Sequence, residues 1–395
     1  MKITIVTGFF LPVPPVLGGS TEKIWHRLSR EFARAGHEVT FISRAWPGLA
    51  AKETVEGVTH VRLMGADHRR WLLANLVLDF WWGLRVAFAL PRADVVICNT
   101  VTLPVWLGRL RPSAGRVAAV LARMPKGHGR FYGGVDLLLS LSAAVTAKLR
   151  AENPRLGNRI VPFPYPIDWE QHARAAAQDD DPAPSESPAK RVQTIGFVGR
   201  IHPEKGLRLL LAAAELLTKR SNLPEWRLEL IGPSEVAQGG GGSIFREALL
   251  ADFGPVLGDR VAFVGPDFNP VSLARRYGRM EIFCYPSIAE QGETFGVSVA
   301  EAMAAGAVPV VSGLACFQEL VRDGETGLVF DHRRPGAEER LADALARLLA
   351  DPNFRRGLAQ RAQDHARHYD YAASARTVLA DFARVVGGTE KAGSP

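Results

Sequence analysis

Residues 281–312 read EIFCYPSIAEQGETFGVSVAEAMAAGAVPVVS. The stretch opens on the apolar segment IFCY and closes on VPVVS. Each segment has the length and the β-branched or aromatic content of a buried strand. Between them lie a loop that runs through Gly292 and a helical segment rich in Ala. Strand, helix and strand in this order form a βαβ unit, which predicts an α/β fold with a parallel sheet.

Strand-like segments alternate with helical ones on both sides of the middle of the chain. They are KITIVTG (2–8), HEVTFIS (37–43), ADVVICN (93–99), RVAAVLA (116–122) and VDLLLSLS (135–142), then TIGFVG (194–199), WRLELIG (226–232) and VAFVG (261–265). Two such series predict two Rossmann-like domains. Open α/β sheets bind ligands at the carboxyl ends of their strands, so we expect the ligand in a cleft between the domains.

Residues 169–191, WEQHARAAAQDDDPAPSESPAKR, interrupt this alternation. Their acidic, Pro- and Ser-rich centre has no apolar period, which predicts an interdomain linker. The domains are then residues 1–168 and 192–370. The run Asp179-Asp180-Asp181 resembles a metal-binding DxD motif, but it lies in the predicted linker and we assign it no metal.

Composition narrows the class of protein. The chain has 395 residues, of which 47% are hydrophobic and 23% charged, as in soluble globular proteins of about two domains. Its three cysteines are widely spaced, which favours a reducing cytoplasm. The start, MKITIVTGFF, is typical of a first strand rather than a signal peptide. The apolar window 71–90 contains Asp79 and Arg85, so we predict a buried or membrane-surface helix rather than a membrane span.

Positive charge is concentrated in one region. Residues 66–130 contain ten Arg or Lys and three Asp or Glu, a net charge of +7 that equals the charge of the whole chain. Such a region indicates an anionic partner, such as a phospholipid surface, or else a solvated basic face. The chain shows no motif of a nucleic-acid-binding module, so nucleic acid is not expected as a partner.

The segment GFVGRIHPEKG, residues 196–206, follows a strand and precedes a helix. Arg200 and Lys205 therefore stand near a helix N-terminus, where side-chain charge, exposed amides and the helix dipole all favour an anion. A solvated loop is the alternative interpretation. In the first half, Gly18 and Gly19 precede a helix and would let backbone amides approach a phosphate, although loops of this kind are common.

Two glutamates lie eight residues apart in the stretch quoted first. We expect the helix to begin near Thr294 or Phe295, with Gly296 permitting close backbone approach. Glu293 then lies at the helix mouth and Glu301 two turns further on, and the two point to within about 80° of one face. Carboxylates so placed can accept hydrogen bonds from sugar hydroxyls. The alternative is a capping glutamate and an unrelated buried one.

At this point the chain resembles the glycosyltransferases of family 4. The resemblance rests on the E-x7-E signature from Glu293 to Glu301, on EAMAAGAVPVV (301–311), ELVRDGETGLVF (319–330) and GFVGRIHPEKG, and on the Gly-Gly pair before a helix that ends in GHEVTFIS. It spans nearly the whole chain. It implies the GT-B fold, with two Rossmann-like domains facing each other across a cleft, and a last helix, about 371–388, that packs back on the first domain.

The resemblance also implies a retaining, nucleotide-sugar-dependent enzyme. Arg200 and Lys205 would bind the donor diphosphate, Glu301 the ribose, and Glu293 the transferred sugar. The backbone near Thr294, Phe295, Gly296 and Val297 would contact sugar and phosphate, and Gly18-Gly19 would approach the diphosphate from the first domain. No cofactor or divalent metal is expected, since cations and helix amides neutralise the leaving group.

The acceptor side departs from the family pattern. Many relatives carry a His-containing stretch after the fourth strand, where this chain has Asn99. A second usual His-bearing segment reads LARMPKGHG, in which His128 is either a substitute or a loop residue. The acceptor-side base is therefore open.

Several functions remain to be separated. The first is transfer of a hexosyl group to a hydroxyl acceptor, lipid-linked or not, in polysaccharide, glycolipid or other glycoconjugate synthesis, by a cytoplasmic enzyme peripheral to the inner face of the membrane. Glycosylation of a small secondary metabolite, epimerisation of a nucleotide sugar on the same fold, and a catalytically silent sensor are the alternatives. A sensor is disfavoured because Arg200, Lys205, Glu293 and Glu301 are all present.

Overall fold

The computed structural model describes residues 1–17, 19–177 and 192–388. The chain divides into two compact units. Residues 1–166, with the chain from Tyr371 onward, form the first unit, and residues 167–370 form the second. Each unit contains one sheet whose strands are mainly parallel, so the α/β fold class predicted from the sequence is confirmed.

The strands within the described residues are, in chain order, β1 (Lys2–Val6), β2 (Glu38–Arg44), β3 (Lys52–Val55), β4 (Val58–Leu63), β5 (Val95–Cys98), β6 (Arg116–Leu121), β7 (Leu137–Ser140), β8 (Ile160–Pro162), β9 (Gln193–Val198), β10 (Trp226–Ile231), β11 (Val261–Gly265), β12 (Ile282–Tyr285), β13 (Val308–Ser312) and β14 (Leu328–Phe330). The first sheet has the order β3-β4-β2-β1-β5-β6-β7-β8, and the second β11-β10-β9-β12-β13-β14. All residues of β12 and β13 are buried, as expected for parallel strands covered on both faces.

The α-helices of the described residues are α1 (Ser20–Arg34), α2 (Leu72–Ala89), α3 (Leu103–Leu110), α4 (Ala143–Glu152), α5 (Trp169–Ala177), α6 (Leu207–Thr218), α7 (Ser243–Leu257), α8 (Pro270–Gly278), α9 (Val297–Ala304), α10 (Ala337–Ala350), α11 (Pro352–Ala366) and α12 (Tyr371–Gly387). The last of them belongs to the first unit, where the ring of Phe382 lies 6.4 Å from that of Phe32 on α1.

A hairpin that the sequence reading missed forms the outer edge of the first sheet. Strands β3 and β4 pair antiparallel, whereas the other pairs in both sheets of the described chain are parallel. Glu56 and Gly57 form the turn, with φ of 51° and 79°. Positive φ at both central positions is the geometry of a tight two-residue hairpin turn, for which a Gly at the second position is the sequence signal.

The predicted linker 169–191 is wrong in its first part. Residues Trp169–Ala177 form α5, which belongs to the second unit and packs on α8 and α9. His172 is buried, and the indole Nε1 of Trp169 donates to the carbonyl of Gln363 at 3.0 Å. The helix was overlooked because the polar sequence that follows it masked its short apolar face. Residues 178–191, including Asp179-Asp180-Asp181, lie outside the described residues.

Helix α2 has both buried and exposed positions. Asp79, Trp82, Gly83 and Val86 are buried, and the Trp82 indole donates to the carbonyl of Thr7 at 2.9 Å. Other positions of α2, together with Trp71 just before it, expose large apolar side chains, which we call the apolar stripe: Trp71, Leu72, Leu73, Val77, Phe80, Trp81 and Phe88. Among the described helices, α2 alone is long and apolar enough to cross a membrane by length and composition, and 22% of it is buried in the protein.

A buried histidine in β4 makes the stability of the first unit sensitive to acid. His60 is 2% exposed, its ring stacks on that of Phe41 at 5.7 Å, and burial together with the charge of Arg62 lowers the pKa of His60 to about 4. The unfolded chain binds a proton near pH 6.5, so between pH 6.5 and about 4 acid favours unfolding.

We therefore expect the urea midpoint of unfolding to fall over this pH range, and to fall less in a His60→Gln variant. The exposed His68 supplies the control, since His68→Gln should keep the wild-type pH dependence. Parallel pH profiles for wild type and His60→Gln would contradict the assignment.

Candidate active site

The candidate site lies at the carboxyl edge of the second sheet. Strands β9 and β12 are neighbours there, although they are separate in sequence, so the strand order reverses between them. A short turn leads from β9 to α6, and a longer loop leads from β12 to α9. Such a reversal point is where open α/β sheets bind ligands.

Lys205 is held in the turn after β9. The turn Pro203–Lys205 is followed by Gly206, which has a φ of 69° and is also the N-cap residue of α6. A Cβ atom at Gly206 would lie 2.0 Å from the carbonyl oxygen of Pro286, so only glycine allows the two loops to touch. The contact brings the buried Lys205 against the loop that carries Glu293.

Glu293 and Lys205 form a buried ion pair. The Lys205 ammonium contacts Oε1 of Glu293, which also accepts hydrogen bonds from Tyr285 Oη at 3.1 Å and Ser287 Oγ at 3.0 Å. Glu293 is 8% exposed. One cation and two hydroxyls thus compensate the desolvation cost of the buried carboxylate. An ion pair without the two hydroxyls would compensate that cost less well.

Arg200 lies at the rim of the same site. Its guanidinium contacts Glu204 Oε1 at 2.5 Å and donates to the carbonyl of Gly239 at 2.7 Å. Lys205 Nζ lies 4.0 Å from the same oxygen of Glu204. The structure therefore brings together both cations predicted from the sequence, with Glu204 between them. The sequence reading missed Glu204, although it directly precedes Lys205.

Helix α9 begins later than expected. The first residue of α9 is Val297. Gly296 is its N-cap residue and has a φ of 101°, which is not helical, so the loop extends through Gly296. The predicted start at Thr294 or Phe295 is wrong, and so is the helical angle between the two glutamates, because Glu293 lies in the loop. In the described residues no side chain caps α9, so its first amides can face an anion.

Two other residues predicted for the donor, Phe295 in the loop and Glu301 on α9, occupy different positions. The side chain of Phe295 is buried, with its ring 5.2 Å from that of Tyr369, so its backbone is the part that could face a ligand. Glu301 lies on α9, is 8% exposed, and accepts a hydrogen bond from Tyr277 Oη at 3.1 Å. The supporting residues Tyr277 and Tyr285 were not found from the sequence, since no motif links them to the glutamates. Ser287 belongs to a Pro-Ser pair at 286–287 that accompanies the E-x7-E signature, but its contact with Glu293 was not predicted.

A cavity opens beside this site in the second unit. It has a volume of about 230 Å³ and lies at the carboxyl ends of β10 and β11, where Gly232, Ser234 and Gly265 line it. A Cβ atom at Gly232 would lie 1.9 Å from the carbonyl oxygen of Gly199, which explains the glycine at this position.

In the first unit, Gly19 caps α1 with φ of 99°. A Cβ atom there would lie 2.3 Å from the carboxylate of Glu22, a buried group that the sequence reading also missed. Burial raises the pKa of Glu22. Gly18 lies outside the described residues.

The acceptor-side candidates lie at the carboxyl ends of β5 and β6. Asn99 Nδ2 donates to the carbonyl of Val6 at 3.3 Å, and its Oδ1 is buried without a partner among the described residues. His128 Nδ1 accepts from the Lys126 amide at 3.3 Å, and burial lowers the pKa of His128. The carboxylate of Glu152 anchors the His128 segment through the amides of its two neighbouring glycines, at 2.7 and 2.9 Å.

Metal-ligating side chains do not cluster in the described part of the chain. No group of three or more His, Cys, Asp or Glu there could hold an ion. The expected independence from metal remains a prediction.

The family described as Glycosyl transferases group 1 matches residues 179–365, and the family described as Glycosyltransferase Family 4 matches residues 18–123. A phosphatidyl-myo-inositol mannosyltransferase of Mycolicibacterium smegmatis is 27% identical over 98% of this chain and 95% of its own length.

Two solved structures show the same fold. Sucrose-phosphate synthase from Thermosynechococcus elongatus has a TM-score of 0.77 at 22% identity, covering 98% of this chain and all of its own. Anabaena HepE, solved in complex with UDP and glucose, has a TM-score of 0.69 at 16% identity over 97% of this chain and 99% of its own. The likeness implied by the E-x7-E signature is thus confirmed, and the chain belongs to the glycosyltransferases of family 4, with the GT-B type of fold.

Proposed function

We propose that this enzyme transfers a hexosyl group, with retention of configuration, from a nucleoside-diphosphate sugar to a hydroxyl of an inositol-bearing lipid. The observation that carries the proposal is the buried contact of Lys205 with Glu293 at the reversal point of the second sheet. A cation suited to phosphate and a carboxylate suited to sugar hydroxyls are adjacent there. Similarity to a phosphatidyl-myo-inositol mannosyltransferase over almost the whole chain supports the acceptor class.

The donor is assigned along the carboxyl edge of the second sheet. Its diphosphate lies by Arg200, Lys205 and the first amides of α9, its ribose by Glu301, and its sugar by Glu293. The base enters the cavity beside Gly232 and Gly265. Anabaena HepE was solved in complex with UDP and glucose, the nucleotide and the sugar that such a donor combines, which supports the assignment.

The chemistry needs little from the chain besides charge and position. The bond from the anomeric carbon to the phosphate oxygen breaks, and the acceptor oxygen attacks from the same face. The acceptor proton passes to the leaving phosphate. Arg200 and Lys205 stabilise the charge that develops on that phosphate. Electrostatic stabilisation of this kind is usually the largest single contribution to the rate enhancement of an enzyme. No nucleophile of the enzyme and no metal take part in this proposal.

The acceptor class is also supported by the first unit. The side chains of the apolar stripe of α2 are exposed, although the ring of Phe80 also lies 6.1 Å from that of Trp106, and Arg69, Arg70 and Arg85 of the same segment are exposed as well. An exposed apolar helix surface accompanied by cations suits the interface of an anionic bilayer. We therefore propose that the enzyme docks on the inner face of the cytoplasmic membrane, through α2 and the exposed cations of residues 66–130.

A panel of UDP-, GDP- and ADP-hexoses, offered with and without phosphatidylinositol vesicles, tests this function. We expect one nucleotide sugar to raise the melting temperature by mass action, and a glycolipid with unchanged anomeric configuration to form only with the vesicles. A folded protein whose melting temperature rises with none of these donors would overturn the proposal. A sugar changed in configuration but still on its nucleotide would indicate an epimerase, and transfer to soluble inositol alone would exclude the lipid acceptor.

A further inference from the structure

Each glutamate of the E-x7-E signature accepts a hydrogen bond from a buried tyrosine. Tyr285, the last residue of β12, donates to Oε1 of Glu293, and Tyr277, on α8, donates to Oε2 of Glu301. Both distances are 3.1 Å. The two tyrosines are 5% and 0% exposed, so neither hydroxyl is placed to meet a ligand from solvent.

Both phenols stay protonated and can only donate to their carboxylates. Burial, followed by the charge of Glu293, raises the pKa of Tyr285 well above its ordinary value. Burial and the charge of Glu301 do the same for Tyr277. A neutral phenol beside a carboxylate gives a charge-assisted hydrogen bond, which is stronger and more directional than a neutral one.

Aromatic packing fixes the positions of both hydroxyls. The Tyr285 ring stacks on Phe197 at 5.5 Å and on Phe283 at 6.2 Å, with interplanar angles of 10° and 14°. Phe283 also lies 5.7 Å from the ring of Tyr277, so the same core residue supports both tyrosines. The Tyr277 ring meets His172 of α5 on another side, at 5.7 Å.

Tyr285 acts on the cation as well. Lys205 Nζ lies 5.4 Å above the centre of its ring while contacting the carboxylate that the Tyr285 hydroxyl holds. Lys205, Tyr285 and Ser287 all bond to Oε1 of Glu293, and none of these three contacts uses Oε2. The carboxylate is therefore fixed through one oxygen, and the other has a defined direction.

We propose that Tyr285 and Tyr277 are positioning residues of the donor site, which orient the carboxylates of Glu293 and Glu301 toward the hydroxyls of the transferred sugar and of the ribose. The assignment of the two glutamates rests on the proposed function. The two tyrosines have different roles, because the transferred sugar near Glu293 changes in the transition state whereas the ribose near Glu301 does not.

The two tyrosines should consequently affect different kinetic constants. Tyr277→Phe weakens binding of a part of the donor that is unchanged by the reaction, so we expect donor KM to rise about tenfold with kcat retained. Tyr285→Phe loosens groups that act on the reacting sugar and the leaving phosphate, so we expect kcat to fall about tenfold or more with a smaller change in KM.

The experiment measures donor KM and kcat for wild type, both variants and Tyr369→Phe. Tyr369 is the matched control, a buried tyrosine of the same unit whose hydroxyl donates to the backbone carbonyl of Glu319; its ring contact with Phe295 is kept when only the hydroxyl is removed. Tyr369→Phe should keep both wild-type constants. Equal constants for all four proteins, or the same loss of kcat in both variants and the control, would overturn the proposal.

Crystal structures of the donor-free variants give a second measurement that needs no activity. We expect the carboxylate of Glu293 to rotate in Tyr285→Phe and that of Glu301 in Tyr277→Phe. Unmoved carboxylates in both would overturn the positioning role, whatever the kinetics. Moved carboxylates in an enzyme that accepts no nucleotide sugar would support positioning and overturn the proposed function instead.

Discussion

Lys205→Ala is expected to lower turnover of the donor by about 10²- to 10³-fold, the usual loss when one group that stabilises developing charge is removed. The ammonium is the buried cation of the site and contacts Glu293 directly. Without it, the leaving phosphate keeps Arg200 and the α9 amides, which lie nearer the rim or act through the backbone. Initial rates with a saturating donor would measure the effect.

Stability and chemistry must be separated in this experiment. Lys205→Ala leaves the carboxylate of Glu293 buried without its cation, and breaking a buried ion pair costs about 3–5 kcal/mol. The double variant Lys205→Met, Glu293→Gln removes both charges at similar volume, so it should unfold closer to wild type and remain inactive. Lys219→Ala, which removes an exposed lysine of the same unit paired with Glu215, should change neither quantity. Near-wild-type turnover in the double variant would remove Lys205 and Glu293 from the mechanism.

Replacing Trp81 and Phe88 together by Ser is expected to reduce partition onto anionic vesicles by about 100-fold. These side chains are 58% and 89% exposed on the apolar stripe. Burial of each large apolar side chain contributes about 1.5–3 kcal/mol, and a helix at the interface buries part of that. Sedimentation with vesicles that contain or lack anionic lipid would measure the partition.

The second unit provides a control of matched exposure for this pair. Ile244 and Val236 are 82% and 72% exposed, and replacing them by Ser should leave sedimentation unchanged. Substituting Arg69 and Arg70 by Gln should weaken binding at low salt and have less effect at high salt, because salt screens exposed charges. Binding that ignores both the stripe and the anionic lipid would contradict the docking surface.

The sequence was sufficient for the fold class, and it singled out the four side chains that we propose for the donor site. A continuous apolar run such as IFCY or VPVVS predicts a buried strand without further information. Loops and helices next to such runs carry Arg200, Lys205, Glu293 and Glu301. The spacing of residues within each motif is local, so it can be recognised without knowledge of tertiary contacts. The structure indeed places Lys205 against Glu293 across 88 residues of sequence.

Residues that act through tertiary contacts were harder to predict. Tyr277 and Tyr285 belong to apolar segments and look like core residues, which they also are. The start of α9 was misplaced because a glycine with positive φ delays a helix in a way that helical propensity does not register. Helix α5 was missed because its partners, α8 and α9, lie about a hundred or more residues later in the chain.

The contact between Lys205 and Glu293 also bears on selectivity among anions. The ammonium already has a carboxylate as its counterion, so an incoming anion must share or displace that internal competitor. A single inorganic phosphate gains little from such an exchange. A nucleotide sugar offers hydroxyls to the carboxylate at the same moment as it offers oxygens to the ammonium, so both partners of the pair are satisfied again. If the proposed function is correct, we expect the enzyme to favour a ligand that carries both groups over simple phosphates in solution.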